Sequence, residues 1–321
     1  MTTTPRLDAT PTANGVHVVH VENTDPAVWT AEDNRMRVRR LAAEHGAVVL
    51  RGFGVGNPAD ATAVLTSLGG ELMTEREAFA ARASLGPRVY SSATWPATQP
   101  MCQHHELSYA LPAPGLVMLA CVTPATEGGV TGLADAGDVL DALPPDVVDR
   151  FERQGWLLTR AYSDEMGASW AAAFGTEDPS AVERYCRQHG IETSWQPDGT
   201  LRTRQRRRAV VSHPSTGRSC WFNQIAFLSQ WTLEPDVRDF LVEELGVDGL
   251  PFNTWYGDGS PVEEDVVTTV NEVYEAMTRR EHWRAGDVMV IDNVRTAHSR
   301  EPYSGQREVL VGFTEPTEVA R

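Results

Sequence analysis

"GDVMVIDNVRTAHSREPYSGQREVLVGF", residues 286–313, reads as strand, polar turn, strand. Its two ends, "GDVMVIDN" (286–293) and "REVLVGF" (307–313), are short apolar runs rich in β-branched residues, the pattern of buried strands. The turn between them presents His298, and Arg307 follows nine residues later where the second strand begins. Similar runs recur along the chain at "AVVLRGF" (47–53), "GLVMLACV" (115–122), "WLLTRAY" (156–162), "RAVVSHP" (208–214) and "SCWFN" (219–223). Helical patterns occupy about 145–154, 178–189, 234–245 and 262–279, and "TAEDNRMRVRRLAAEHG" (30–46) reads as a helix with Thr30 as its N-cap and Gly46 as its stop. Strands spread over the whole length without regular strand-helix alternation predict a mainly β, α+β protein. An antiparallel sandwich or barrel with helical insertions fits better than a doubly wound parallel sheet.

The chain has 321 residues, 41% of them hydrophobic and 22% charged, enough to bury a substantial core and too apolar for wholesale disorder. Residues 1–15 are rich in Thr, Pro and Ala without hydrophobic periodicity and read as a flexible leader; 16–321 contain no repeat or linker and read as one domain. A formal net charge of −16 repels nucleic acid and anionic membrane surfaces, so neither is an expected partner. Cys102, Cys121, Cys186 and Cys220 are widely separated and no secretory signal or membrane span is visible, which fits a reducing cytoplasm.

In "QHHELSY" (103–109), an extended backbone would put His104 and Glu106 on one face and His105 on the other. His104 with Glu106 offers one imidazole nitrogen and one carboxylate oxygen, and His298 is a candidate third ligand. Two histidines and one carboxylate on one face of an octahedral ion leave three positions open, the arrangement of non-haem Fe(II) oxygenases. Taken singly, each of these residues is as well explained by a surface or core role.

Together with "AVVLRGF", "YSSATWPA", "ATEGGVTGLAD", "WFNQ", "WYGDGSP", "HWRAGDVMVIDN" and "AHSREPYSGQRE", in that order, the sequence resembles the taurine dioxygenase and clavaminate synthase superfamily of Fe(II)/2-oxoglutarate oxygenases. Within it, the chain is most similar to the syringomycin-type amino-acid hydroxylases of antibiotic biosynthesis. The resemblance implies a double-stranded β-helix, or jelly roll, with Fe(II) held by His104, Glu106 and His298. It also implies that Arg307 pairs with the distal carboxylate of 2-oxoglutarate and that Thr131 hydrogen-bonds the same group. A guanidinium suits that task, because its planar fork matches a carboxylate and stays charged. The chain departs from the branch in having "HHE" for "HNE" and "YSSAT" for "YTST".

The implied activity is O2-dependent hydroxylation of an unactivated C–H bond in an amino acid or an amino-acid-derived unit, free or tethered to a carrier protein, with succinate and CO2 as coproducts. Epoxidation, desaturation or ring closure would use the same centre. Halogenation is disfavoured because Glu106 occupies the position that halogenating relatives leave to a small residue. A non-catalytic jelly roll would not need the full ligand set, and hydrolytic zinc chemistry lacks its helical HExxH motif. Asn223 and Arg300 are candidate substrate contacts, although Asn223 could equally satisfy backbone groups and Arg300 form a structural ion pair. The arginines of "LRTRQRRRAV" (201–210) suggest a solvated strand edge or a docking patch for an acidic partner. "DEMGASWAAAF" (164–174) suggests a helical lid, and His17, His20 and His213 read as structural.

Overall fold

Val288–Asp292 runs antiparallel to Ala47–Arg51 on one side and to Ala113–Thr123 on the other, so the strand that carries "VMVID" lies at the centre of a sheet. The computed structural model describes residues 5–163 and 167–321. That sheet has eight strands in the order Thr10–Pro11, His17–His20, Ala47–Arg51, Val288–Asp292, Ala113–Thr123, Glu308–Thr317, Val89–Ser91 and Ser84–Gly86. Only the pairing of His17–His20 with Ala47–Arg51 is parallel. A second sheet orders Arg279–Glu281, Thr131–Asp135, Thr296–Arg300 and Met101–His104, all antiparallel.

Alternation explains why the central strands read as unbroken apolar runs. Val117, Leu119, Met289, Ile291, Val311 and Phe313 pack inward with Leu133 of the smaller sheet. Their neighbours Met118, Ala120, Val288, Val290 and Leu310 point the other way, against Val38 and Ala42 of the helix Glu32–His45 and Val64, Leu65 and Leu68 of the helix Pro58–Gly69. A strand covered on both faces has no polar side to show. The two facing sheets form the jelly roll, and the helices cover the outside of the larger one.

The helix Pro58–Gly69 carries a signal that pattern reading passed over: Asn57 caps it, accepting from the N–H groups of Ala59 and Asp60, and Pro58 sits in its first turn. The preceding helix begins at Glu32, with Ala31 rather than Thr30 at its N-cap. Thr30 instead ends the short helix Pro26–Trp29, donating its hydroxyl to Ala27 O at 2.7 Å.

Two further expectations are corrected. Residues 5–15 are not a loose leader: Leu7 is buried in the outer core and Thr10–Pro11 pairs with His17 and Val18. The arginine run is not a sheet edge, since Leu201–Arg207 lies inside a third sheet between Ile191–Trp195 and Trp156–Tyr162, with Asn253–Tyr256 beyond. Arg207 is buried and donates to the carbonyls of Tyr109 at 2.6 Å and His189 at 2.9 Å. In the expected lid, residues 164–166 lie outside the described residues. Trp170–Phe174 is a short helix whose Ala173 and Phe174 pack against Tyr162 and Val182. His213 is structural, meeting Asp292 through Nε2 at 2.9 Å. Among the described residues no helix is long and apolar enough to cross a membrane, and all four cysteines are free.

Candidate metal centre

The small sheet sets His298 directly opposite His104, and their ring centroids are 4.4 Å apart. The strand Met101–His104 ends there, so Glu106 does not share a pleat with His104 as an extended reading predicts. A tight turn follows instead, with the Ser108 N–H donating to His105 O and Leu107 at φ 50°. That turn swings the Glu106 carboxylate back over the strand end. Its Oε2 lies 3.9 Å from His104 Nε2 and 3.6 Å from His298 Nε2. All three side chains are buried, with their donor atoms within 4.8 Å of one another.

The donor atoms are in the right chemical state for a divalent ion. His104 Nδ1 donates to the Cys102 carbonyl at 2.8 Å, which leaves Nε2 with its lone pair directed at the cluster. Burial, reinforced by His298, pushes the His104 imidazole down to about 3, so it is neutral at neutral pH. Burial by itself would raise the Glu106 carboxyl, but Arg82 and His298 outweigh it and hold the group at about 2, an anion. Two imidazole nitrogens and one anionic oxygen, collected on one side, fit a ferrous ion with open positions opposite. Phe227 stacks on the His104 ring at 4.7 Å and seals that flank. His105 faces away, its Nδ1 donating to Asn293 O at 2.5 Å and its ring against Phe222.

Thr131 begins the strand next to His298 and is buried. Its Oγ1 accepts the Trp283 indole N–H at 3.1 Å, which uses a lone pair and leaves the hydroxyl proton available to an anion. Arg307 donates Nε to Gly129 O at 3.3 Å, and no carboxylate lies within ion-pair distance of it among the described residues. Burial, followed by nearby Arg300, lowers its guanidinium to about 10, the mark of a cation without a counter-ion. Glycines permit this packing: a Cβ on Gly128, at φ +68°, would lie 2.1 Å from Pro302 O, and one on Gly129 would press on Arg307 and Tyr303.

The two expected substrate contacts are otherwise employed. Asn223 donates to Ala209 O at 3.1 Å and accepts from Ile225 N–H at 3.1 Å, so both ends of its amide serve the backbone. Arg300 donates to Pro96 O and Gln99 O, each at 2.7 Å, and to Trp95 O at 3.4 Å, clamping the loop that contains "TWPATQ". Sequence reading also passed over Arg82, Glu75, Asn293 and Trp283. Asn293 carried a legible hint as the polar residue just past the strand Val288–Asp292; Arg82 and Glu75 carried none.

The sequence matches the family described as taurine catabolism dioxygenase TauD, TfdA family over residues 8–314, nearly the whole chain. The chain belongs to this family. As a TauD/TfdA-family member it is an Fe(II)/2-oxoglutarate-dependent dioxygenase that takes O2 as its second cosubstrate. It is 31% identical over 282 residues to the dapdiamide synthesis protein DdaC of Enterobacter agglomerans, spanning 87% of this chain and 85% of that protein. It is 27% identical over 283 residues to a clavaminate synthase-like protein of Arabidopsis thaliana, spanning 85% and 82%. Among solved structures, AAD-2 in complex with Mn(II) and N-oxalylglycine superposes with a TM-score of 0.55 at 14% identity, over 98% of this chain and all of that one. The TauD/TfdA jelly roll is thus shared even where the sequence is not.

Proposed function

We propose that this dioxygenase hydroxylates an unactivated C–H bond in an amino acid or an amino-acid-derived unit, with Fe(II) held by His104, Glu106 and His298 and with 2-oxoglutarate anchored by Arg307 and Thr131. The observation that carries the reading is the pairing of a buried two-histidine, one-carboxylate cluster with a half-buried guanidinium that has no counter-ion among the described residues. Bound Fe(II) supplies redox chemistry in which 2-oxoglutarate loses CO2, one atom of O2 enters succinate and the other enters the substrate. The chain's own groups do the positioning. His104 and His298 give imidazole nitrogens, Glu106 gives one negative charge, and the unfilled side of the cluster is left for the cosubstrates. Arg307 and Thr131 take the far carboxylate of 2-oxoglutarate and thereby fix where its near end lies. Phe227 and the surrounding burial keep bulk water from the reacting atoms.

The kinship with a dapdiamide synthesis protein supports an amino-acid-related substrate in antibiotic-type biosynthesis. Arg300, the cation expected to grip a substrate carboxylate, is committed to three backbone carbonyls, and Arg82 to two acids. This favours a substrate whose carboxyl is masked as an amide, ester or thioester, the last being the form a carrier protein presents. The test is O2-dependent succinate release from 2-oxoglutarate with Fe(II) and ascorbate, combined with a screen of free amino acids against carrier-bound aminoacyl thioesters for a gain of one oxygen. Absence of succinate from wild type, with the His298→Ala variant indistinguishable, would remove the proposal.

A further inference from the structure

We propose that Arg82 is a positioning residue that restricts Glu106 to ligation through one oxygen and so keeps the other coordination positions open. This inference rests on the reading of His104, Glu106 and His298 as metal ligands. The Glu106 carboxylate is divided between two tasks: Oε2 faces both histidine Nε2 atoms, while Oε1 accepts from Arg82 at 3.1 Å. Arg82 is in turn held from every side. Its Nε meets Glu75 Oε1 at 2.9 Å, another nitrogen donates to Ser91 O at 3.3 Å, and its guanidinium carbon sits 5.6 Å from the Phe313 ring centre. The side chains of Arg82, Glu75 and Glu106 are all nearly inaccessible.

An octahedral ion with three protein donors has three positions left. A 2-oxo acid chelating through two oxygens takes two of them, and O2 needs the third. A carboxylate with both oxygens free can chelate as well, and a second Glu106 oxygen on the metal would occupy a position the reaction requires. A charge-assisted hydrogen bond from an immobile guanidinium prevents that by engaging Oε1. Only a planar fork can serve Glu75 and Glu106 together; an ammonium is a single point of charge on a flexible stem. Stability alone is a weak reason for the arrangement, because buried ion pairs contribute no more than well-packed apolar side chains of similar volume. Glu75, at 2.9 Å on the other edge of the same guanidinium, keeps Arg82 from turning its fork away from Glu106.

The experiment uses Co(II), an air-stable substitute for Fe(II) with a visible band sensitive to coordination number, on wild type, Arg82→Met, Arg82→Lys and His298→Ala. Each protein is titrated with Co(II), then with 2-oxoglutarate, and its thermal melt is recorded without metal. Arg82→Met should bind Co(II) on the order of 10- to 100-fold more weakly, the usual effect of removing a partner of a metal ligand. Its band should also differ from wild type before 2-oxoglutarate is added and respond less to it. Arg82→Lys, which keeps the charge and loses the fork, should show the altered band too. A lowered melting midpoint with wild-type Co(II) affinity and a wild-type band in both variants means a structural role only and overturns the inference. Should Arg82→Met fail to fold, Arg82→Lys decides alone on the same criterion. If wild type binds Co(II) no better than His298→Ala, the ligand assignment itself has failed, and the inference falls with it.

Discussion

The side-chain amide of Asn293 closes a two-bond ring with the peptide of Glu106: the Glu106 N–H donates to Asn293 Oδ1 at 2.8 Å, and Asn293 Nδ2 donates to the Glu106 carbonyl at 2.9 Å. The same Nδ2 group reaches Pro114 O at 2.8 Å, and the Asn293 carbonyl accepts from His105 Nδ1. One residue, at the end of a central strand of the large sheet, therefore fixes the turn on which the carboxylate ligand stands. Through it the rigidity of the sheet is passed to a segment that has no ladder bonds of its own.

Asn293→Ala should accordingly unfold at a markedly lower urea concentration than wild type, even without metal. Three buried backbone groups lose their partner, each costing roughly 1–3 kcal/mol when nothing replaces it. Asn293→Asp keeps the acceptor but replaces the donor by a second carboxylate oxygen that faces two carbonyls, so it should be at least as damaging. Stability within 1 kcal/mol of wild type, taken as about the smallest such loss, in either variant would mean that water or a neighbour replaces the amide and that the bracket is dispensable.

The two adjacent histidines should separate cleanly. His104→Ala removes a donor atom and should abolish Fe(II) binding and turnover. His105→Ala leaves all three donor atoms in place but opens a hole beside Phe222 and frees the Asn293 carbonyl. Its cost should therefore appear as lost stability, on the order of 2 kcal/mol, with metal binding retained. Iron affinity measured on both variants checks this, and loss of metal by His105→Ala with retention by His104→Ala would reverse the assignment.

Acid should destabilise the metal-free protein in a definite window. His104 and His105 are held by burial at about 3 and about 4, against 6.5 in an unfolded chain. Between pH 6.5 and 4.5 the unfolded chain thus binds two protons that the folded one refuses. Glu75 runs the other way: burial raises it to about 7, so the folded state keeps one proton that the unfolded state, with a carboxyl near 4.5, releases. Among these three groups the net is one proton taken up on unfolding, about 1.4 kcal/mol per pH unit; His17, which burial also lowers, and Glu106, held at about 2, act in the same direction, so stability should fall as pH drops through this range. The histidine contribution is complete above the unfolded value and is lost as pH falls toward the folded ones. His105→Gln should remove one proton from that slope, about 1.4 kcal/mol per pH unit. Urea unfolding at pH 6.5, 5.5 and 4.5 measures both, and a wild-type stability that rises toward pH 4.5 would show the sign to be wrong.

Much of this site was legible because its chemistry is concentrated in few residues. Two histidines and a carboxylate, each ordinary alone, become recognisable through the order of the motifs around them, and "VMVID" announces a central strand because both of its faces are covered. The supporting residues were not legible for an equally physical reason. Arg82 meets Glu106 across a loop, and Glu75 meets Arg82 across another, so neither contact follows from any period or spacing. The contacts of Arg300 were not legible either, because the register shifts between His298 and Arg300, and its guanidinium meets the carbonyls of Trp95, Pro96 and Gln99 in a loop about two hundred residues earlier. The arginines at 202–208 looked like an edge because alternate positions are exposed, while Leu201, Thr203, Gln205 and Arg207 on the other face are buried.

Arg307 offers the test that addresses the cosubstrate instead of the metal. The guanidinium is largely enclosed, has no acidic neighbour among the described residues, and shares its surroundings with Arg300, so it is electrostatically poised for an anion. The distal carboxylate of 2-oxoglutarate would depend on it for charge compensation, with the Thr131 hydroxyl adding a neutral bond. Truncating one partner of a buried charge pair costs roughly 2–5 kcal/mol, much of it from stranding the other charge. Each 1.4 kcal/mol is about tenfold in affinity, so Arg307→Ala should raise the 2-oxoglutarate dissociation constant by about 30-fold or more, with Fe(II) binding little changed. Thr131→Val should lose less, on the order of 1 kcal/mol, and also frees the Trp283 N–H. Arg307→Lys, keeping the charge without the fork, should lie between the two. Anaerobic titration of the Fe(II) protein with 2-oxoglutarate, followed by its visible charge-transfer band, ranks all three. If Arg307→Ala titrates like wild type, the cation that anchors 2-oxoglutarate is elsewhere, and the lowered proton affinity of Arg307 records only its desolvation and its nearness to Arg300.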